Sequence, residues 1–450
     1  MTISTTLDSE SRDRAAEELS EANAGFVRRY RGESTRRQPV HTVYGGAHVF
    51  HSNSAARLGE LALEMLDGFA PDAESFAAAV GLPESLAPAI HARVLGKLRS
   101  EPVEDYRIDF EDGYGNRSDA EEDGHAVSAA REVATGLSAG SLPHFLGIRI
   151  KPLSDELRGR SLRTLDIFLT TLLSDTGGQL PDNFVVTLAK VTVEEQVAAL
   201  AKTLGRLEAG LNLPAGRLEL EIMVETPQAI VNARGESNVL RLVEAAGGRC
   251  IAAHFGTYDY TAALAITAAY QSMEHPACDF ARNMMQVALA GTGVWLSDGA
   301  TNVLPVPRRH EAERTLRGRE IEEDRAIVHN AWKLHYRHVR HSLASGYYQG
   351  WDLHPAQLPT RYAALYAFFL EGLDAASARL RNFVEKAGQA TLVGEVFDDA
   401  ATGQGLLNYF LRAIACGALT ESEAVERTGL TLSEFQGRTF SAGGRFRDRR

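Results

Sequence analysis

Cysteine is scarce in this chain. There are three in 450 residues, Cys250, Cys278 and Cys416, and none forms a CxxC pair. A disulfide framework is thereby excluded, and the three read as buried small hydrophobes of a reducing compartment. No run of 18 apolar residues occurs, so no membrane span is expected. The first twenty residues, MTISTTLDSESRDRAAEELS, are polar and acidic and lack the apolar core of a secretory signal. A cytoplasmic protein is the expectation. Positive charge is also short: 47 Lys and Arg face 59 Asp and Glu, a net charge of −12. Nucleic acid is therefore not expected as a partner, because phosphate binding needs a concentrated cationic face. No GxGxxG follows a strand pattern and no GxxxxGK[ST] occurs, so the usual nucleotide-binding markers are missing. Apolar residues make up 44%, enough for a large core and too many for wholesale disorder.

What is present is alternation. Residues 1–40 read as a polar helical lead-in. Eight short β-rich runs follow, at 41–50, 105–112, 145–151, 184–190, 218–225, 249–256, 293–299 and 347–354. Amphipathic helical stretches lie between them, such as EEQVAALAKTLGRLEAGL after the fourth run. From Glu111 through Arg149, Lys190 and Glu225 to Asp259, the charged residues near successive strand ends are 34 to 41 residues apart. That beat suits a closed (β/α)8 TIM barrel over 41–360 better than an open sheet. Residues 358–388 read as one strong helix, and 361–450 as a C-terminal helical region ending in a basic, Gly-rich, frayed GGRFRDRR.

Strands of a parallel barrel are buried on both faces and should be near-continuously apolar. Several here are not. In LELEIMVE, Leu218, Leu220, Ile222 and Val224 share one face, and Glu219, Glu221, Met223 and Glu225 the other. In DYRIDFED, Arg107, Asp109 and Glu111 share a face. Arg149 and Lys151 share one in FLGIRIK, and Lys190 closes FVVTLAK. With the apolar faces against outer helices, these ions point into the barrel. There they must pair with one another, hold a metal or hold a charged ligand, because an isolated buried ion is strongly unfavourable. The charges gather at the C-terminal strand ends, where barrels place their chemistry. Glu225, before Pro227, and Asp259, after Gly256, end neighbouring strands. Two carboxylates completed by water and substrate oxygens suit Mg²⁺. Taken singly, each acid reads as a helix-terminal or surface residue, and the pair gains weight from its shared context.

Six motifs in order carry a resemblance: DFEDG (109–113), GIRIKPL (147–153), LAKV (188–191), MVETPQAIVNA (223–233), HFGTYDY (254–260) and GWDLHPAQ (350–357). The chain resembles the citrate lyase β-subunit/malyl-CoA lyase superfamily, which includes the HpcH/HpaI aldolases, and more distantly malate synthase. It departs at HTVYGGAHVF, where relatives carry a Pro-Gly after the first strand, and at Tyr258, where many carry an acid. The resemblance implies a Mg²⁺-dependent carbon–carbon lyase acting through an enolate on a 2-oxo acid or a hydroxy-acyl substrate, CoA thioesters included. It implies metal ligation by Glu225 and Asp259 and substrate binding by Arg149, Asp109 and His354. Arg149, Lys190, Glu111 and Asp112 would form the catalytic group, with Lys190 pairing Glu221 or Asp109. It also implies a homo-oligomer. Asp298 and Asp352 are further candidates for moving a proton. Rival readings are malate synthase-like condensation, acyl-CoA hydrolysis and a binding protein that has lost catalysis.

Other polar residues read as structural. His335, His338 and His341 fall at i, i+3 and i+6 of a solvated helix face, with no acid or thiol at ligand spacing. His48 and His51 lie near the first strand and could reach a pocket. The charge run 306–326 reads as a solvated helix with i,i+4 pairs, from which Arg308 and Arg309 could meet phosphates.

Overall fold

Eight parallel strands close on themselves, each hydrogen-bonded to the next and the eighth to the first. The structure is a computed structural model that describes residues 6–32, 34, 36–308, 318–385, 391–393, 396–398, 400–431, 433, 435, 438–440 and 446–448. Strands β1 (His41–Gly46), β2 (Asp105–Asp109), β3 (Phe145–Ile150), β4 (Asn183–Leu188), β5 (Glu219–Val224), β6 (Cys250–Phe255), β7 (Trp295–Ala300) and β8 (Gln349–Asp352) form the barrel. Helices surround it. The chain runs through α1 (Ser9–Arg29), α2 (Ser54–Phe69), α3 (Ala73–Val80), α4 (Ala87–Ser100), α5 (Asp119–Ala139), α6 (Arg158–Asp175), α7 (Glu194–Gly210), α8 (Pro227–Ile230), α9 (Val239–Ala245), α10 (Thr257–Ala263), α11 (Pro276–Leu289), α12 (Gly318–Ala344), α13 (Leu358–Glu371), α14 (Leu373–Glu385), α15 (Ala400–Ala415) and α16 (Glu421–Thr428). This is the (β/α)8 architecture that the alternation implies. Among the described residues no helix is long and apolar enough to cross a membrane.

Local chemistry sets the helix ends. The Ser118 side chain accepts from the Glu121 amide, and the Glu121 side chain returns the bond to the Ser118 amide, so α5 starts in a capping box. It stops at Gly140, whose φ of 63° is left-handed. The outward strand faces then meet these helices. Leu220, Ile222 and Val224 of β5, and Ile108 of β2, are fully buried in one continuous apolar layer between sheet and helices. The three cysteines are free and buried.

Three expectations need correction. The helix read over 358–388 is two, α13 and α14, broken at Gly372. Two of the three histidines of α12 do not face solvent: His335 and His338 are buried, because α12 lies on the barrel wall, while His341 is part-exposed. His335 bonds Thr360 at 2.6 Å, His338 bonds Thr301 at 2.9 Å, and His341 bonds Asp279 at 2.8 Å. Lys151 does not share a face with Arg149. The strand ends at Ile150, and the Lys151 ammonium turns to Glu122 of α5, 2.5 Å away. In the charge run, α12 begins at Gly318 and Arg319 pairs with Glu323 at i,i+4. Arg309 lies outside the described residues, and Arg308 pairs with Glu323.

Candidate active site

The barrel interior is polar from its middle upward. Arg107 and Glu221 point inward from β2 and β5, on nearly opposite walls, and meet in a two-pronged pair at 2.7 and 2.9 Å. Thr187 donates to Glu221 at 2.5 Å, and Arg107 also bonds Asp105. The Trp351 indole donates to His254 Nδ1 at 3.1 Å, which assigns the ring hydrogen to Nε2, 3.0 Å from Glu221 Oε2. Thr42 donates to Asp105 at 2.9 Å. Each carboxylate thus meets the Arg107 cation and a threonine hydroxyl, the pairing a buried ion needs. The Arg107 charge and the bond from His254 hold the Glu221 carboxyl far below its usual range against the opposing effect of burial, which is the largest single influence.

Above this layer lies the mouth. Asp109 and Arg149 are register partners on β2 and β3. The Arg149 fork grips Asp109 at 2.7 and 2.6 Å. Asp109 also accepts the amides of Glu111 at 2.9 Å and Gly113 at 2.7 Å. Four bonds therefore saturate Asp109, and it is fully buried. In this structure Asp109, a substrate-binding candidate, holds Arg149 and the β2–α5 turn. The remaining edge of Arg149, Nη1, lies 3.3 Å from Glu111, and the Tyr44 ring lies beneath the guanidinium, 4.6 Å from its carbon.

Lys190 crosses the mouth. Its φ of 48° is left-handed, a conformation that costs a non-glycine residue on the order of 1–2 kcal/mol. That turn sends the ammonium to Glu111 at 2.5 Å, Asp112 at 3.1 Å and Asp259 at 3.4 Å. It does not pair with Glu221 or Asp109, which Arg107 and Arg149 already satisfy. Burial would lower the Lys190 pKa, but Glu111, Glu225 and Asp112 together raise it, so the ammonium stays charged.

Glu225 and Asp259 come together as neighbouring strand ends require. Glu225 follows β5 and is 2% exposed, and Asp259 sits in the first turn of α10 after β6. Glu225 Oε1 accepts the Lys190 amide at 2.7 Å. Among the described residues its second oxygen accepts no hydrogen bond. A Cβ on Gly256 would come within 2.4 Å of that oxygen, so the carboxylate sits in a cradle only glycine leaves open. Burial first, then the Asp259 charge, pushes the Glu225 pKa up to about 8. Two cations, Arg149 and Lys190, face five carboxylates, Asp109, Glu111, Asp112, Glu225 and Asp259, an excess of three negative charges with all ionised.

Among the described residues no group of three or more His, Cys, Asp and Glu side chains is set to hold a metal ion. The two-carboxylate donor set with one unbonded oxygen fits a hard divalent cation that keeps its other positions for water and ligand oxygens. Two surface hollows, of about 380 Å³ between α6 and α7 and about 290 Å³ by Arg36 and Glu219 at the opposite barrel end, lie away from this constellation.

The remaining candidates lie elsewhere. Asp298 faces outward from β7 and is held by Arg282 at 3.1 Å and Ser342 at 2.6 Å. Asp352 faces outward from β8 to His41 at 2.7 Å, His335 at 3.0 Å and Arg361 at 2.9 Å. Both are sealed behind the barrel wall, so neither can move a proton in the mouth. His354 accepts the Ala356 amide at 3.2 Å and caps a 3-10 turn. His48 packs on Tyr114 and His125, and His51 is exposed beside Glu132. Sequence reasoning missed Tyr44, Trp351 and His254. Alternation in HTVYGG places Tyr44 on the face of Thr42, which was the available signal for it. The other two sit on strands whose interior faces carry no charge run.

The model of the family described as "Domain of unknown function (DUF6986)" matches residues 19–443. A search of curated proteins finds no match. Among solved structures, a citrate lyase from Burkholderia xenovorans LB400 aligns with a TM-score of 0.56 at 17% identity, covering 87% of this chain and 96% of that one. A malate synthase from Haloferax volcanii aligns at 0.44 and 15% identity, covering 88% and 98%. The citrate lyase β subunit from M. tuberculosis, complexed with oxaloacetate and magnesium, aligns at 0.38 and 15%, covering 73% and 98%. At 17% identity the likeness to the citrate lyase is one of fold.

Proposed function

This chain belongs to the DUF6986 family, and from the geometry of its barrel mouth we propose that it is a divalent-cation-dependent carbon–carbon lyase. Its substrate class is a 2-oxo acid, or a hydroxy-acyl compound that yields one on cleavage. The observation that carries the reading is Glu225. It is a buried carboxyl beside a second carboxylate, with a pKa of about 8 and one oxygen unbonded, at the end of a barrel where chemistry resides.

Glu225 and Asp259 would hold Mg²⁺, which when bound supplies Lewis-acid stabilisation of negative charge on the substrate's oxygens. The chain's own residues do the rest. Arg149 is fixed by Asp109 and presents one guanidinium edge toward the mouth. There it orients a carboxylate and offsets charge that develops as the carbon–carbon bond breaks. Lys190 and Glu111 share a 2.5 Å hydrogen bond, and burial raises the Glu111 pKa. The Glu111 carboxylate takes the substrate's hydroxyl proton in the cleavage direction, and the Lys190–Glu111 pair returns one to the enolate carbon. Asp112 steadies Lys190 from the solvent side.

Enolisation can be tested without knowing the full substrate. Pyruvate in D₂O with Mg²⁺ should lose its methyl proton signal in the presence of the protein. Glu225→Gln should abolish the exchange. Exchange at the wild-type rate in that variant, or none in the wild type with any of pyruvate, oxaloacetate or a 2-oxo homologue, contradicts the proposal.

A further inference from the structure

Tyr44 enters the interior from β1 at the level of Arg149, opposite the wall that carries Glu221. Its ring lies 4.6 Å beneath the Arg149 guanidinium carbon and 5.0 Å from the Trp351 ring, centre to centre. The residue as a whole is half-buried, so part of it faces the mouth, yet its hydroxyl oxygen is buried and has no hydrogen-bond partner among the described residues. That is unfavourable for a phenol, which usually finds a partner when buried.

The surroundings narrow what could satisfy it. Glu221 already accepts from Arg107 and Thr187, and His254 Nε2 lies 3.0 Å from it. Asp105 accepts from Arg107 and Thr42. Arg107 is engaged on both. A trapped water needs two to four polar partners, and Arg107, Asp105 and Glu221 beneath Tyr44 are already engaged with one another and with Thr42 and Thr187. Burial and the Glu221 charge raise the hydroxyl's pKa well above the usual phenol range. It is therefore a donor at every working pH and never a competing anion. An acidic ligand that enters the mouth would bring oxygens that accept, and Arg149, stacked on the same ring, would draw its carboxylate there.

We propose that the Tyr44 hydroxyl is a ligand-binding donor, held without a protein partner until an oxygen of the acid bound against Arg149 accepts its hydrogen bond. This deepens the lyase reading and rests on it: the ligand is the 2-oxo acid or its enolate. The ring has a separate task, positioning Arg149 through its face.

Tyr44→Phe separates the two, because it keeps the ring and removes only the hydroxyl. The probe is oxalate, a planar mimic of an enolate, titrated calorimetrically into protein with saturating Mg²⁺, alongside thermal melts without ligand. The expected result is an unchanged or higher Tm for Tyr44→Phe and an oxalate Kd raised roughly tenfold, the loss of one hydrogen bond to a charged acceptor. An unchanged Kd overturns the proposal, whatever the Tm does. A fall in Tm with an unchanged Kd shows in addition that a structural water is the partner. If wild-type protein itself fails to bind oxalate with Mg²⁺, the 2-oxo acid reading falls and this inference with it.

Discussion

The backbone amide of Lys190 donates to the Glu225 carboxylate at 2.7 Å, so the end of β4 fixes the carboxylate that ends β5. The same residue's left-handed φ of 48° sends its ammonium across the mouth to Glu111. One strained residue therefore aligns an acid on each side of it. Strain of this kind persists where the surrounding structure over-determines it, and such positions cluster at functional sites.

Lys190→Met tests the side chain apart from the amide. It keeps the backbone bond to Glu225 and removes the charge that pairs Glu111, Asp112 and Asp259. Stability should change by no more than about 1 kcal/mol, because the side chain is partly exposed and its pairs are screened. Turnover should fall at least about a hundredfold, the usual scale for a group that moves a proton. A urea melt and a steady-state assay on one preparation decide it. Near-normal turnover would remove Lys190 from the chemistry.

Glu225 predicts a pH dependence with a definite sign. Its folded pKa is raised from 4.5 to about 8. Between those values the folded state holds a proton that the unfolded state has lost. Stability without metal should thus fall as pH rises through this window. Glu225→Gln should flatten that slope, since glutamine does not titrate. A divalent cation needs the ionised carboxylate, so its binding at pH 7 should release about one proton, measurable as a buffer-dependent heat. A melting temperature with the same slope in wild type and variant would show that Glu225 does not titrate there.

Gly256 guards the same carboxylate. A Cβ there would meet Glu225 Cβ and Oε2 at 2.4 Å. Gly256→Ala should therefore displace Glu225, destabilise the fold by about 1–3 kcal/mol and weaken divalent cation binding. The φ of Gly256 is −97°, which any residue adopts, so the effect is steric. Unaltered cation affinity would show that the carboxylate can move aside at no cost to the site.

Beneath the mouth, Arg107 and Glu221 supply a stability prediction. Arg107→Ala leaves Glu221 buried at 1% exposure without its main cation, which should cost about 3–5 kcal/mol in a urea melt. Replacing the two together by Met and Leu should be far milder, since it removes both charges from the interior. Equal losses in the single and double variants would contradict the account of the pair.

The barrel was legible because its two periodicities are clean. Leu220, Ile222 and Val224 alternate with Glu221, Met223 and Glu225, and the structure sends the first set to the helices and the second inward. Glu225 and Asp259 were legible as a pair because each ends a strand, and consecutive strands of a closed barrel are neighbours. Partner choice was not legible. The sequence places Arg107, Arg149 and Lys190 on a shared interior, but which acid each meets depends on strand stagger, and Lys190 finds Glu111 where Glu221 or Asp109 was expected. Orientation beyond a strand end was illegible too. Period-two reasoning stops where the strand does, so Lys151 was put on the wrong side. Asp298 and Asp352 were misjudged because outward-facing acids on a parallel barrel read like inward ones until Arg282 and Arg361 are seen waiting on the helices.

The central claim is that Glu225 and Asp259 jointly hold one divalent cation. Mn²⁺, counted by the electron paramagnetic resonance of the free ion, tests it directly in wild type, Glu225→Gln and Asp259→Asn. The account predicts one bound ion per chain in the wild type, with affinity reduced at least about tenfold in each variant. Wild-type affinity retained in either variant, or no bound ion in the wild type, would contradict it.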